Sequence, residues 1–147
     1  MSIVKATISY SLTPGTVIEF LYGASPDYSS VNFQNGNDNN NISLHFNVRP
    51  HDGSTGNIPQ LVLNTMINGK WGVEERPNYI WPTNGENVRV SFLIDNEFNF
   101  LIKAHLENDY RWTNDFTYLY KKRATFNPNS VSVNFMNLKD FCVRTDF

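Results

Sequence analysis

The chain has 147 residues, a formal net charge of −2 and one cysteine. That length suits one domain with a sizeable core and is short for two. The near-balanced charge gives no electrostatic reason to seek nucleic acid or an anionic membrane surface, and no apolar run reaches the ~18 residues of a membrane span.

Cys142 alone excludes an internal disulfide and a thiolate metal cluster, and is expected in a terminal strand as a small hydrophobe. Hydrophobic residues make up 40% of the chain and aromatics 14%, with 11 Phe, and Asn is the commonest residue. Phe, Val and Thr broken by Asn and Gly clusters favour strands joined by turns. An all-β fold is expected. Met1 to Tyr10 has no signal-peptide pattern, which points to cytoplasmic synthesis and is compatible with export by a leaderless route.

Val4, Ala6, Ile8 and Tyr10 alternate with polar residues as a first strand. A turn at Thr13-Pro14-Gly15-Thr16 leads to a second strand over Val17 to Tyr22, and a third runs from Ser30 to Phe33. Asn35 to Asn41 reads as a loop. Asp38 and its amides suggest calcium there, but the glutamate that closes an EF-hand loop is absent, so no metal is expected. Asn41-Ile42-Ser43 is a glycosylation sequon in a chain without a visible secretion signal.

Ile42 to Arg49 alternates strictly. His45, Asn47 and Arg49 fall on one face, and Leu44, Phe46 and Val48 on the other. Pro50 stops that strand, and His51 to Pro59 is a loop. Leu61 to Met66 is a strand, Asn68-Gly69 is the strongest hairpin signal in the chain, and Lys70 to Arg76 is read as the returning strand. The hairpin brings Asn64 near Trp71 and Glu74. After a loop over Pro77 to Asn87, Val88 to Ile94 and Phe98 to Ala104 form a second hairpin. Strands then follow at Asp109 to Trp112, Phe116 to Tyr120, Val131 to Met136 and Leu138 to Thr145. Some ten short strands with no helix predict a two-sheet antiparallel jelly-roll sandwich.

The chemistry-bearing set is His45, Asn47, Arg49, Asn64, Trp71, Glu74 and Arg76. It stands in the segments His45-Phe46-Asn47-Val48-Arg49, Val62-Leu63-Asn64 and Trp71-Gly72-Val73-Glu74-Glu75-Arg76. These resemble the galectin pattern H-x-N-P-R, V-x-N and W-G-x-E-x-R, with Val48 in place of the usual proline. The resemblance extends over essentially the whole chain, although only its central third is of motif grade. It implies a carbohydrate-recognition domain over 1–147 that binds β-galactosides with no metal or cofactor. The loop after Arg49, with His51, Asp52 and Gly53, aligns with no known contact residue.

The chemistry suits the name. Galactose carries an axial 4-hydroxyl, which leaves one ring face as a patch of C–H groups on which an indole such as Trp71 can stack. His45, Asn47 and Arg49 can converge on the axial hydroxyl. Asn64 and Glu74 can take the 6-hydroxyl, and Arg49, Glu74 and Arg76 can reach the next sugar. Parity raises one question: an odd separation puts Trp71 and Glu74 on opposite faces of a straight strand. Either Gly72 marks a bulge or Trp71 belongs to the turn, and the nearness of Asn68-Gly69 favours the turn.

Weak monovalent binding in a shallow groove gains from multivalency, so a homo-oligomer joined through the terminal strands is expected. Two other classes remain: a glycoside hydrolase, which needs a second carboxylate near Glu74 such as Asp52, and a module that binds only protein. Glu75 is expected to point away from the site. Trp81, Trp112 and His105 are read as core or loop packing, and Lys121-Lys122-Arg123 as a solvated loop.

Overall fold

The computed structural model describes residues 3–9, 12–50, 58–83, 85–108 and 111–145. Eleven strands are named among them: β1 Ile3–Ser9, β2 Thr16–Gly23, β3 Ser29–Gln34, β4 Ile42–Arg49, β5 Gln60–Ile67, β6 Lys70–Trp71, β7 Asn87–Ile94, β8 Phe100–Asn108, β9 Arg111–Tyr120, β10 Ser130–Met136 and β11 Leu138–Thr145. They form two antiparallel sheets, ordered β1-β10-β3-β4-β5-β6 and β11-β2-β7-β8-β9. This is the expected sandwich.

Alternation drives the assembly, because each strand turns every second side chain inward. Phe33, Leu44, Phe46, Val48, Leu61 and Leu63 of the first sheet meet Phe20, Val90, Phe92, Phe100 and Ile102 of the second, all of them buried. Phe92 stands at the centre, with ring centroids 5.0 Å from Phe33 and 5.1 Å from Phe46. Each such side chain contributes roughly 1.5–3 kcal/mol of burial. Val48 is among them, so its exchange for proline's usual position leaves the polar face of β4 unaltered. Trp81 is 1% exposed, donates to Tyr22 Oη at 2.6 Å and packs edge-on against Phe46 and Phe116, as a core residue should.

Several local expectations are corrected. The strand after Ile94 starts at Phe100, not Phe98. The Asp95 carboxylate accepts from the backbone N–H groups of Glu97 and Asn99 at 2.9 Å each, which extends the loop and leaves Phe98 at φ 60°. Arg111 and Trp112, from the segment read over Asp109 to Trp112, lie with Phe116 to Tyr120 in the single strand β9, whose register shifts opposite Ala104/His105, while Asp109 and Tyr110 lie outside the described residues. His105 lies on the outer face of the second sheet, beside Leu101 and Lys103. Cys142 does occupy the terminal strand β11, but it is exposed, because β11 is a sheet edge. The Trp112 side chain, Asp52 and the rest of 51–57 lie outside the described residues.

Candidate functional site

β4 lies between β3 and β5, pairing His45 with Asn32 on one side and with Asn64 on the other. Directly paired residues share a face, so Asn32, His45 and Asn64 form one polar row across three strands. Asn47 is paired with Ser30 and Val62, and Arg49 with Gln60. This is the outer face of the six-stranded sheet, on the far side from Phe46.

The Asn68-Gly69 turn, with φ of 50° and 79°, has the two left-handed residues of a type I′ hairpin. It is buttressed by the Asn-rich loop: Gly69 N–H donates to Asn40 O at 2.8 Å, and Asn68 N–H to Asn41 Oδ1 at 3.0 Å. The Asp38 carboxylate ties that loop to itself, accepting from Asn40 N–H and Asn41 Nδ2, each at 2.9 Å. Those two bonds hold its carboxyl below the usual range.

Beyond the turn, Trp71 pairs with Met66 and Glu75 with Leu63. Four steps of chain on one side therefore span three on the other. The extra residue is a bulge, not an extension of the turn, and it answers the parity question against the expected alternative. Trp71 lies within β6, and the bulge at 72–74 reverses the alternation so that Trp71 and Glu74 reach the same face. The returning strand foreseen over Lys70 to Arg76 is thus only two residues long, followed by the isolated pairing at Glu75. Gly72 N–H donates to Thr65 O at 2.9 Å within the bulge.

His45, Arg49, Val62, Asn64, Trp71, Gly72 and Glu74 line one cavity of about 240 Å³. That is smaller than the ~300–1,000 Å³ usual for drug-sized ligands. Five of the seven singled-out side chains are brought together there. The other two, Asn47 and Arg76, hold the members that line it. Asn47 donates from Nδ2 to Ser29 O at 3.2 Å and accepts from Arg49 Nε at 2.7 Å. Arg49 Nη2 lies 3.5 Å from Glu74 Oε1, and Arg76 donates to Glu74 Oε2 from Nε at 3.0 Å and from Nη2 at 2.7 Å. Such charge-assisted bonds fix geometry more than they stabilise the fold, since these groups are partly solvated.

Trp71 is 48% exposed, and its ring centroid is 4.9 Å from that of His45 at an angle of 45°. His45 Nδ1–H donates to Asn32 Oδ1 at 2.5 Å, which leaves Nε2 as an acceptor. Burial, aided by the Arg49 guanidinium and opposed by Glu74, pushes the His45 pKa down to about 4. The ring is neutral at physiological pH. Because the folded pKa lies below the unfolded value near 6.5, the unfolded chain takes up the proton first as pH falls. The stability tied to His45 is full above about pH 6.5 and is lost progressively down to about pH 4, by at most about 3 kcal/mol. Thermal melts across that window should show this slope in the wild type and a shallower one in His45→Gln.

Glu75 points the other way, as foreseen. It accepts from Tyr118 Oη at 2.6 Å and lies 3.8 Å from Arg123 Nε. That bond pushes the Tyr118 phenol up to about 12. Two residues of the site were missed. Asn32 could have been found from the alternation of Ser30 to Phe33. Arg123, read as part of a solvated loop, instead donates to Asn64 Oδ1 at 3.2 Å and to Val73 O at 2.8 Å.

Gly72 has little room for a side chain. A Cβ there would meet Asn64 Oδ1 at 3.3 Å and Arg123 Nη1 at 3.4 Å. Gly72→Ala should therefore displace the Asn64 amide, weaken lactose binding about tenfold and cost about 1 kcal/mol of stability. Titration calorimetry and a melt test both effects, and wild-type affinity in the variant would refute the crowding.

The structure is a two-sheet antiparallel β-sandwich with a polar shelf on the outer face of one sheet. The family model described as galactoside-binding lectin matches residues 4–121, so the chain belongs to that family, the galectins. By family it is a lectin. A curated relative, galectin-1 of Sus scrofa, is 36% identical over 66 residues, covering 45% of this chain. The chain spans about half the length of the curated relatives it matches, 47% in that case. Among solved structures, a toad ovary galectin in complex with thio-digalactose superposes with a TM-score of 0.72 at 22% identity, covering 95% of this chain and 98% of that one. CG-16, a homodimeric agglutinin from chicken liver, also gives 0.72, at 19% identity, covering 96% and 100%. These structural likenesses speak to the fold.

Proposed function

We propose that the chain binds β-galactosides of the lactose or N-acetyllactosamine type in the cavity beside Trp71, without metal or cofactor. The observation that carries this reading is the bulge, which sets an exposed indole and a row of tethered donors and acceptors on one face. The sugar's C–H face stacks on Trp71 while His45 Nε2, Arg49, Asn64 and Glu74 take its hydroxyls. A glucoside, lacking the axial hydroxyl, leaves some of these groups unpaired and is rejected for that reason. The toad relative's complex with thio-digalactose supports the ligand class.

In a shallow, wet groove the monovalent affinity should be on the order of micromolar to millimolar. Calorimetric titration with lactose against cellobiose tests this. Saturable binding of lactose alone supports the reading, while equal binding of both, or release of product from a chromogenic galactoside, overturns it. A hydrolase is disfavoured because Glu75 is turned away and Glu74 is held between two guanidiniums.

The proposal includes self-association, which gives avidity toward multivalent glycoconjugates. Among the sheet edges are β1 and β11, and β11 presents Phe141 at 46% exposure. The chicken agglutinin is a homodimer. Sedimentation equilibrium should find a dimer or tetramer that Phe141→Asp weakens; a wild-type monomer at micromolar concentration would refute it.

A further inference from the structure

Arg123 follows β9 and lies just past the residues matched by the family model. Its side chain is 30% exposed. The guanidinium sits against the Tyr120 ring, 5.1 Å from its centroid, and donates to the Tyr120 hydroxyl from Nε at 2.9 Å and also from Nη2. That hydroxyl is itself anchored. Thr65 Oγ1 donates to Ser43 O at 3.0 Å, so the 2.6 Å contact between Thr65 and Tyr120 has Tyr120 as the donor. A chain of bonds thus runs from Arg123 through Tyr120 and Thr65 to the backbone of β4, and fixes the guanidinium from behind.

Its other nitrogens point to the site. Nη2 donates to Asn64 Oδ1 at 3.2 Å, and Nη1 to Val73 O at 2.8 Å. The Asn64 side chain is only 4% exposed, and its hydrogen-bonding capacity can be accounted for atom by atom. Oδ1 accepts from Thr65 N–H at 2.8 Å and from Arg123, and one Nδ2–H donates to Gly72 O at 3.0 Å. The second Nδ2–H is what remains for a ligand in the cavity. A flipped amide would set NH₂ against the Thr65 N–H and the guanidinium, and oxygen against the Gly72 carbonyl. Val73 is 79% exposed, so its side chain anchors nothing. The bond from Arg123 to its carbonyl holds the middle of the bulge, between the Gly72 and Glu75 pairings.

We propose that Arg123 is a positioning residue of the cavity, holding the Asn64 amide and the 72–75 bulge so that the free Asn64 N–H, Trp71 and Glu74 face the ligand together. The proposal rests on the galactoside reading for its ligand and on the contacts above for its geometry. Lysine, with a single ammonium, cannot reach Tyr120, Asn64 and Val73 at once, so Arg123→Lys should fall between the wild type and Arg123→Met.

The test uses the full chain, lactose calorimetry and ¹H–¹⁵N spectra of the side-chain amides. Arg123→Met should weaken lactose binding about tenfold. In an Asn64→Ala background its further effect should shrink to about threefold, since the share that acts through that amide is gone while the bond to Val73 O remains. The Asn64 Nδ2H₂ pair should shift and exchange faster, while that of Asn99, bound to Asp95, stays in place. Fully additive losses, or an unmoved Asn64 pair with unchanged affinity, overturn the proposal. If Arg123→Met does not fold, Arg123→Lys decides: wild-type affinity with an unshifted Asn64 pair overturns it. If the wild-type chain does not bind lactose, the galactoside reading fails, and the Asn64 pair alone still decides the role of Arg123.

Discussion

Trp71→Ala is expected to weaken lactose binding by at least about 100-fold, some 2.7 kcal/mol, while the fold stays intact. The indole lies on a two-residue strand at the sheet edge, and folding leaves about half of its surface in water. Its ring contact with His45 is worth about 0.5–1.5 kcal/mol. Bound to a sugar it would lose most of its remaining exposure and supply the apolar area that hydroxyl contacts cannot. Trp71→Phe should recover part of the affinity, because a smaller ring keeps the orientation and loses area. Calorimetry beside a thermal melt separates the effects. Lactose affinity within threefold of wild type in Trp71→Ala would remove the indole from the site.

That division of labour explains why some of the molecule could be read from residue types and some could not. The sandwich follows from alternation, which is local, as do the placement of Val48 in the core and of His45, Asn47 and Arg49 on one face. The bulge is not local. Whether Trp71 belongs to a turn or to a strand depends on where Glu75 pairs, and that is settled by hydrogen bonds to Leu63 and Thr65 on another strand. Arg123 is further still from legibility. A basic run after a strand usually lies in solvent, and only the convergence of Tyr120, Asn64 and Val73 gives this one a buried task. Phe98 was misplaced for a related reason, because Asp95 capping reshaped the turn before β8, and the register shift within β9 is likewise invisible to a period of two.

The bulge also bears on how binding and stability are divided. Its polar groups are partly solvated and tied to one another, to Arg49, to β5, and to Tyr118 and Arg123, so most changes there should act on ligand affinity before they act on folding. Gly72 is the exception, because any side chain added there would crowd Asn64 and Arg123.

Arg49→Ala should lower lactose affinity by about 100-fold or more, and by more than loss of one ligand contact would. The guanidinium joins two parts of the site, with Nε on Asn47 Oδ1 and Nη2 near Glu74 Oε1. Without it, Asn47 loses the donor that orients its amide, and Glu74 is left to Arg76 alone. Truncating a fixed charged group costs the ligand contact and also frees its neighbours, and these losses compound. Arg49→Lys keeps the charge but not the fork, and should still lose about tenfold. Stability should change by less than about 1 kcal/mol, since the Arg49 and Glu74 side chains are partly exposed. One spectroscopic consequence is separable from binding. Arg49 is the second cause, after burial, of the low His45 pKa, so Arg49→Ala should raise that pKa from about 4 without restoring it to the usual value. An NMR titration of the His45 ring protons reads this directly. A pKa that stays at 4 in Arg49→Ala, with lactose affinity unchanged, would place the guanidinium outside the site.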